Sequence, residues 1–152
     1  MAVEVGDKAP DFELKDQHGT PVRLSELRGN RVVLVFYPLA FSGICQGELC
    51  AIRDEFVTSV PEDVRVLTVS VDSVFSQRAW ADKEGFTFSM LSDFWPHGEV
   101  ARAYGVFDEQ RGLALRGTFV IDGEGVVRWK AVNPIPSARD ISEYHKVLEQ
   151  VS

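Results

Sequence analysis

Two short and almost wholly apolar segments constrain the fold of this 152-residue sequence more than any other feature. Residues 31–37 read Arg-Val-Val-Leu-Val-Phe-Tyr, and residues 64–71 read Val-Arg-Val-Leu-Thr-Val-Ser-Val. Such segments are typical of strands that are buried on both faces of a sheet. Because a stretch with helical periodicity at residues 44–57 separates them, they are predicted to be parallel strands joined by a right-handed crossover.

The order of the remaining elements predicts the fold class. Residues 11–16 and 21–24 flank a turn and form a predicted N-terminal hairpin. After the second buried strand, the predicted elements are a helix at 73–84, a short strand at 90–91, a helix at 96–104, strands at 117–121 and 126–132, and a helix at 137–151. This order predicts an α/β, thioredoxin-like fold with a mixed central sheet, helices on both faces and an N-terminal hairpin extension. Without repeats or a linker, residues 1–152 are expected to form one domain.

The charge of the chain argues against several classes of partner. The formal net charge is −7, whereas a nucleic-acid-binding protein needs a basic face. The same charge argues against binding to an anionic membrane surface, and the longest apolar run is too short to span a bilayer. The N-terminus lacks the basic and apolar regions of a signal peptide, so a cytoplasmic location is expected.

A cysteine stands where chemistry is expected in such a sheet. Cys45 follows the first buried strand and begins the predicted helix, and ligands of α/β sheets bind beyond the carboxyl ends of the strands. Unpaired backbone N–H groups and the positive end of the helix dipole favour the thiolate there. Ser42 and Pro38 stand three and seven residues before Cys45, and they predict a small, rigid and partly dry pocket around the thiol. A buried, inert cysteine is the alternative, but the helix start favours a reactive thiol and a redox enzyme.

Metal and cofactor chemistry are not indicated. The second cysteine, Cys50, cannot complete a zinc site with Cys45 alone, and the histidines at 18, 97 and 145 lack ligand spacing. A static structural disulfide is not expected in a cytosolic chain. No cofactor is implied, because a thiolate itself performs this kind of chemistry.

The spacing Pro38-x-x-x-Ser42-x-x-Cys45 resembles the signature of the peroxiredoxins, in which Ser42 takes the place of the commoner threonine. The resemblance extends over the chain, and its further motifs are residues 6–12, 69–73, 79–80, 91–93 and 116–122. Residues 92–98 and 104–107 resemble the alkyl hydroperoxide reductase E group of this family. The Cys45-x4-Cys50 spacing instead resembles the bacterioferritin comigratory type.

The resemblance implies a thiol-dependent peroxidase that reduces hydrogen peroxide and organic hydroperoxides through a sulfenic acid on Cys45. Ser42 and the backbone amides would donate hydrogen bonds, and Pro38 would shield the sulfur. Arg116 would hold the thiolate and polarise the peroxide. Glu48 would orient that arginine, although an acid in the first helical turn that stabilises the helix dipole explains it equally well.

Cys50 has two possible roles. It either resolves the sulfenic acid as an intramolecular disulfide or is a small buried helix residue. Five helical residues rotate the chain by about 140° and advance it by about 7.5 Å, so the two thiols are expected to face apart. A Cys45–Cys50 disulfide therefore requires the first turns of the helix to unwind.

Partners and alternative functions follow from the resemblance. The reductant would be thioredoxin, a glutaredoxin-like protein or a low-molecular-weight thiol, and the chain is expected to form a homodimer. The alternatives are a one-cysteine peroxidase reduced directly by an external thiol and a redox-responsive interaction or chaperone protein. A thiol–disulfide oxidoreductase is disfavoured because Glu48 stands where Cys-x-x-Cys requires a second cysteine. Five aromatic residues form either an apolar substrate pocket or part of the core and dimer interface: Phe41, Phe86, Phe94, Trp95 and Phe107.

Overall fold

The computed structural model describes residues 3–151, and within them the chain forms nine β-strands and four α-helices. In chain order they are β1 (Glu13–Lys15), β2 (Pro21–Arg23), β3 (Arg31–Phe36), α1 (Gly43–Ala51), β4 (Val64–Ser70), α2 (Val74–Glu84), β5 (Ser89–Ser92), α3 (Glu99–Ala103), β6 (Phe107–Asp108), β7 (Leu113–Ala114), β8 (Arg116–Ile121), β9 (Val127–Asn133) and α4 (Ser142–Gln150). The predicted domain of residues 1–152 includes residues 1, 2 and 152, which lie outside the described residues. None of the helices in the described part is long and apolar enough to cross a bilayer.

Seven strands form one mixed sheet in the order β2-β1-β5-β4-β3-β8-β9. β3 pairs in parallel with β4 and antiparallel with β8, and β4 pairs in parallel with β5. β1 and β2 form the predicted N-terminal hairpin. The sheet confirms the α/β, thioredoxin-like fold and the parallel pairing of the two apolar segments.

Alternate residues of β3 supply two separate cores. Val33 and Val35 pack into a cluster on one face with residues of α1, α2 and α4. Val32, Leu34 and Phe36 pack on the other face with residues of α3 and β8. Both faces are therefore covered, which is why this strand reads as a continuous apolar run and not as an alternating one.

Two helices are shorter than predicted. α3 begins at Glu99 and not at residue 96, because the Asp93 carboxylate accepts the backbone N–H groups of Val100 and Ala101 at 3.1 and 2.9 Å and so caps the helix there. α4 begins at residue 142 and not at 137. Residues 134–141 form a non-helical connection that reaches the carboxyl end of β3, where the Arg139 side chain donates to the Phe36 carbonyl oxygen.

Two features were not predicted. The short β6–β7 pair lies between α3 and β8. The helix predicted over residues 44–57 divides into α1 and a π-helical turn at Ile52–Phe56, in which the Val57 N–H donates to the Ile52 carbonyl oxygen at 2.8 Å. The helix that begins near Cys45 thus changes its winding two residues after Cys50.

Candidate active site

Cys45 is the third residue of α1 and lies just beyond the carboxyl end of β3. Ser42 precedes the helix with an extended backbone (φ −82°, ψ 147°), and the Gln46 N–H makes the first helical hydrogen bond to the Ser42 carbonyl oxygen at 2.8 Å. The amides of residues 43–45 therefore precede the helical hydrogen-bond ladder. Cys45 itself is fully buried, so its thiol combines a helix start with low solvent access.

Arg116 lies beside the Cys45 sulfur. It is the first residue of β8, the strand next to β3, and its side chain is 2% exposed. Its Nη1 atom donates to Cys45 Sγ at 3.2 Å, and its Nε atom donates to the Ile135 carbonyl oxygen. A guanidinium held in this position stabilises a thiolate by charge and by a hydrogen bond.

Glu48 joins two arginines beneath the sulfur. Its Oε1 atom pairs with Arg116 Nη1, and its Oε2 atom accepts hydrogen bonds from the backbone N–H and the Nε atom of Arg139 at 2.7 and 2.8 Å. Glu48 is the sixth residue of α1, so it lies beyond the first helical turn. The alternative explanation, an acid in the first turn, is therefore wrong, and the carboxylate instead pairs with Arg116.

Arg139 is the site residue that the sequence did not reveal. It was predicted to lie in the terminal helix, but it belongs to the non-helical connection before α4. Its guanidinium is buried, and its Nη1 atom donates to Thr118 Oγ1 at 3.1 Å. Pro134 and Pro136 do not signal this non-helical connection, because both precede the predicted helix start and proline is tolerated at the start of a helix.

The charges of this cluster leave a place for an anion. Arg116 and Arg139 contribute two positive charges, and Glu48 contributes one negative charge, all with side chains no more than 3% exposed. Buried charges are costly unless they are balanced by opposite charges. A thiolate on Cys45, in contact with Arg116, would balance the second positive charge.

The loop before α1 carries the other two predicted residues. Pro38 is buried directly after β3, and Ser42 is half-buried. The Ser42 hydroxyl donates to the Leu39 carbonyl oxygen at 3.0 Å. The hydroxyl is therefore close to the helix start but is turned toward its own loop.

Contacts from outside the loop hold its conformation. The Asp72 carboxylate accepts the Ala40 backbone N–H at 2.8 Å and the Ser70 hydroxyl at 2.6 Å. Phe41 has a positive φ of 65°, which is uncommon for a residue other than glycine. Its ring lies 5.8 Å from that of Trp80, between centroids. Backbone strain of this kind persists where the surroundings impose it, and it clusters at functional sites.

Cys50 faces a different part of the molecule from Cys45. It is half-buried, and its Sγ atom lies 3.9 Å from Glu84 Oε2 on α2. Burial, followed by the nearby carboxylates, raises the pKa of the Cys50 thiol. Both cysteines are free thiols, and their different partners agree with the prediction that the two side chains face apart.

The five aromatic residues considered for a substrate pocket differ in burial. Phe86 is buried in the core beside Trp80, and Phe107 packs under the Arg102 guanidinium. Three of the five are exposed at the surface, by 48% for Phe41, 54% for Phe94 and 80% for Trp95. Phe86 is therefore a core residue, and a role of the three exposed rings in a pocket or an interface stays a prediction.

Comparison with known proteins agrees with the fold and identifies the family. Residues 5–130 match the AhpC/TSA family. The chain is 49% identical to alkyl hydroperoxide reductase E of Mycobacterium tuberculosis over 139 residues, which are 91% of each chain. It is 41% identical to the selenocysteine-containing peroxiredoxin PrxU of Peptoclostridium acidaminophilum, covering 93% of this chain and 73% of that protein. The crystal structure of Enterococcus faecalis AhpC superimposes with a TM-score of 0.88 at 31% identity, over 99% of this chain and 92% of that one.

The family match, the peroxiredoxin relatives and the thioredoxin-like fold place the chain in the class of thiol-dependent peroxidases. The chain belongs to the AhpC/TSA family, and the peroxiredoxin resemblance drawn from its motifs is confirmed.

The ion cluster predicts an effect of Arg139 on stability. Arg139→Ala leaves the buried Glu48 carboxylate with fewer donors, so we expect the free energy of unfolding to fall by about 3 kcal/mol. Arg128→Ala is the control, because its pair with Asp122 is half-exposed on the arginine side and should contribute less than about 1 kcal/mol. Urea denaturation measures both. Equal losses in the two variants would contradict the buried-cluster account.

Proposed function

We propose that Cys45 is the residue that attacks the peroxide in this thiol-dependent peroxidase. The observation that carries the proposal is the hydrogen bond from Arg116 Nη1 to Cys45 Sγ at 3.2 Å in a buried site. The thiolate attacks one peroxide oxygen, the O–O bond breaks, and the other oxygen takes up a proton and leaves as water or an alcohol. Sulfur is oxidised to a sulfenic acid, and the peroxide is reduced.

Three kinds of donor support the leaving oxygen in this proposal. Negative charge develops there, and donors that are placed in advance stabilise it without reorganisation. The Arg116 guanidinium and the amides of residues 43–45 are already at the helix start. The Ser42 hydroxyl joins them by rotating away from the Leu39 carbonyl oxygen, which is its present acceptor.

The remaining residues act through these groups. Pro38 has no N–H and is buried directly after β3, so it restricts the approach of water to the sulfur. Glu48 is a positioning residue, since its carboxylate fixes the Arg116 guanidinium. Arg139 in turn fixes Glu48 by two hydrogen bonds.

Cys50 is proposed to resolve the sulfenic acid as a disulfide with Cys45, which thioredoxin, a glutaredoxin-like protein or a low-molecular-weight thiol then reduces. The half-burial of Cys50 and the π-helical turn that follows it support this role, because a helix that changes its winding is easier to open locally. Direct reduction of Cys45 by an external thiol is the second candidate, favoured by the separate faces of the two thiols.

A homodimer is proposed from the exposed aromatic residues of the molecule, and a cytoplasmic location stays a prediction from the sequence. Phe41, Phe75 and Phe94 follow the parallel strands β3, β4 and β5, and Trp95 follows Phe94. These rings are between 48% and 83% exposed, and all follow the carboxyl ends of strands, where Cys45 also lies. Exposed aromatic residues concentrated at one end are typical of an interface. The single seven-stranded sheet, which joins the N-terminal hairpin to β8 and β9, supports treating the chain as one domain.

The role of Cys45 is tested by mixing reduced protein with hydrogen peroxide in a stopped-flow instrument. Wild type is expected to react at least about a thousandfold faster than free cysteine. We expect Arg116→Ala to lose about 100-fold or more, the factor typical of removing one preorganised donor. Cys45→Ser should consume no peroxide beyond background. A wild-type rate equal to that of free cysteine would overturn the peroxidase mechanism.

The role of Cys50 is tested by non-reducing mass spectrometry after one equivalent of peroxide. A Cys45–Cys50 disulfide lowers the mass by two hydrogens, whereas a sulfenic acid adds one oxygen. We expect the disulfide in wild type and the sulfenic acid in Cys50→Ser. A stable sulfenic acid in wild type would favour the one-cysteine mechanism.

A further inference from the structure

One carboxylate on α2 holds three side chains of α1 and of the π-helical turn that follows it. Gln46 Nε2 donates to Glu84 Oε1 at 3.0 Å, Cys50 Sγ lies 3.9 Å from Glu84 Oε2, and Arg53 Nη1 lies 3.9 Å from the same oxygen. The spacing of four and three residues places these side chains on one face of the helix. Glu84 therefore ties the segment that contains Cys50 to α2.

The position of Glu84 is unfavourable for its own helix. It is the last residue of α2, which ends at Gly85 in the left-handed conformation (φ 73°). A negative charge at a helix C-terminus opposes the helix dipole. The side chain is nevertheless only 16% exposed, and Arg53 also donates to the Glu84 backbone carbonyl oxygen. The contacts with the Cys45 helix offset a placement that α2 alone disfavours.

The helix that Glu84 restrains is intrinsically weak between the two cysteines. Gly47 is exposed, and a Cβ atom at this position would meet nothing within 4 Å. Packing therefore does not require glycine here, and glycine in a helix interior lowers helix stability relative to alanine. The π-helical turn at Ile52–Phe56 follows directly. Contacts outside the helix thus contribute to keeping it wound.

We propose that Glu84 is a latch, a positioning residue that sets the rate at which Cys50 reaches the oxidised Cys45. The proposal rests on the resolving role of Cys50 proposed above. With the latch closed, the Glu84 carboxylate holds Gln46 and Cys50 and the helix stays wound. When these contacts break, residues 43–51 unwind and the Cys50 sulfur approaches the Cys45 sulfur.

The chemical step after release needs no further oxidant. The Cys50 thiol loses its proton to solvent, and the thiolate attacks Cys45 Sγ. The S–S bond forms, the S–O bond of the sulfenic acid breaks, and the hydroxide takes up a proton to leave as water. Cys50 sulfur is oxidised and Cys45 sulfur is reduced, and the peroxide has already supplied the oxidising equivalent.

While the Glu84 contacts are intact, the surroundings of Cys50 also disfavour its thiolate. Burial raises the pKa of Cys50, the carboxylates of Glu84 and Asp54 raise it further, and only the Arg53 guanidinium acts in the opposite direction. Cys50 is therefore kept as the less reactive thiol while it is bound to α2. It becomes a competent nucleophile after the helix has opened.

The test separates the two steps by rapid mixing with one equivalent of hydrogen peroxide, followed by quenching and mass spectrometry. Glu84→Ala is expected to accelerate disulfide formation about tenfold or more, the effect of losing a hydrogen bond to a charged group. Glu84→Gln keeps an acceptor for Gln46 but removes the charge, so its rate should lie between those of wild type and Glu84→Ala. The rate of sulfenic acid formation should not change in either variant.

Two further variants complete the test. Asp82→Ala removes an exposed acid from the same end of α2 and should leave both rates unchanged. Gly47→Ala fits the open space at that position and should slow disulfide formation about threefold, because it stabilises the helix that must unwind. A merely structural role of Glu84 would not accelerate the second step alone.

The outcomes distinguish the latch from the resolving role. If wild type forms the disulfide and Glu84→Ala forms it no faster, the latch is overturned and the resolving role stands. If Glu84→Ala forms it and wild type forms it slowly or not at all, the latch is supported. If neither protein forms it, both the resolving role and the latch are overturned.

Discussion

The site depends on one buried carboxylate placed between two guanidinium groups. Glu48 binds Arg116 through one oxygen and Arg139 through the other. Without this carboxylate, the two buried positive charges would repel each other, and only hydrogen bonds to neutral groups would hold the two guanidinium groups. With it, Arg116 points at the Cys45 sulfur, and the cluster keeps one positive charge that a thiolate can balance. The reactivity proposed for Cys45 therefore depends on a residue that contacts the sulfur only through Arg116.

The fold brings these charges together from distant parts of the chain. The first turns of α1 carry Cys45 and Glu48, β8 carries Arg116, and the connection before α4 carries Arg139. β3 lies between β4 and β8 in the sheet, so the helix that follows β3 begins close to the start of β8. The same helix is restrained on its other side by Glu84 of α2. Helix α1 thus serves both proposed steps. Its start holds Cys45, which reacts with the peroxide, and its later turns hold Cys50, which resolves the sulfenic acid.

The secondary structure and topology were easier to predict from the sequence than the contacts between distant residues. The apolar runs in β3 and β4 and the position of Cys45 were predictable because they depend on local patterns and on sheet topology. Arg116 was predicted from the family resemblance alone, since its contact with the sulfur spans 71 residues. Arg139 and Glu84 were not predicted, because a polar residue in a helix or a loop has no local feature that reveals a distant partner. The predicted start of α4 was too early for the same reason. Arg139, which precedes the helix, is held by long-range hydrogen bonds to Glu48.

The central claim, that Cys45 is oxidised by peroxide beneath Arg116, is tested most directly by trapping its sulfenic acid. The Cys50→Ser variant is treated with one equivalent of hydrogen peroxide and a cyclic 1,3-dione that reacts with sulfenic acids, and the adduct is mapped by peptide mass spectrometry. We predict a single adduct, on the peptide that contains Cys45, in an amount that matches the peroxide consumed. Consumption of peroxide without an adduct on Cys45 would contradict the mechanism.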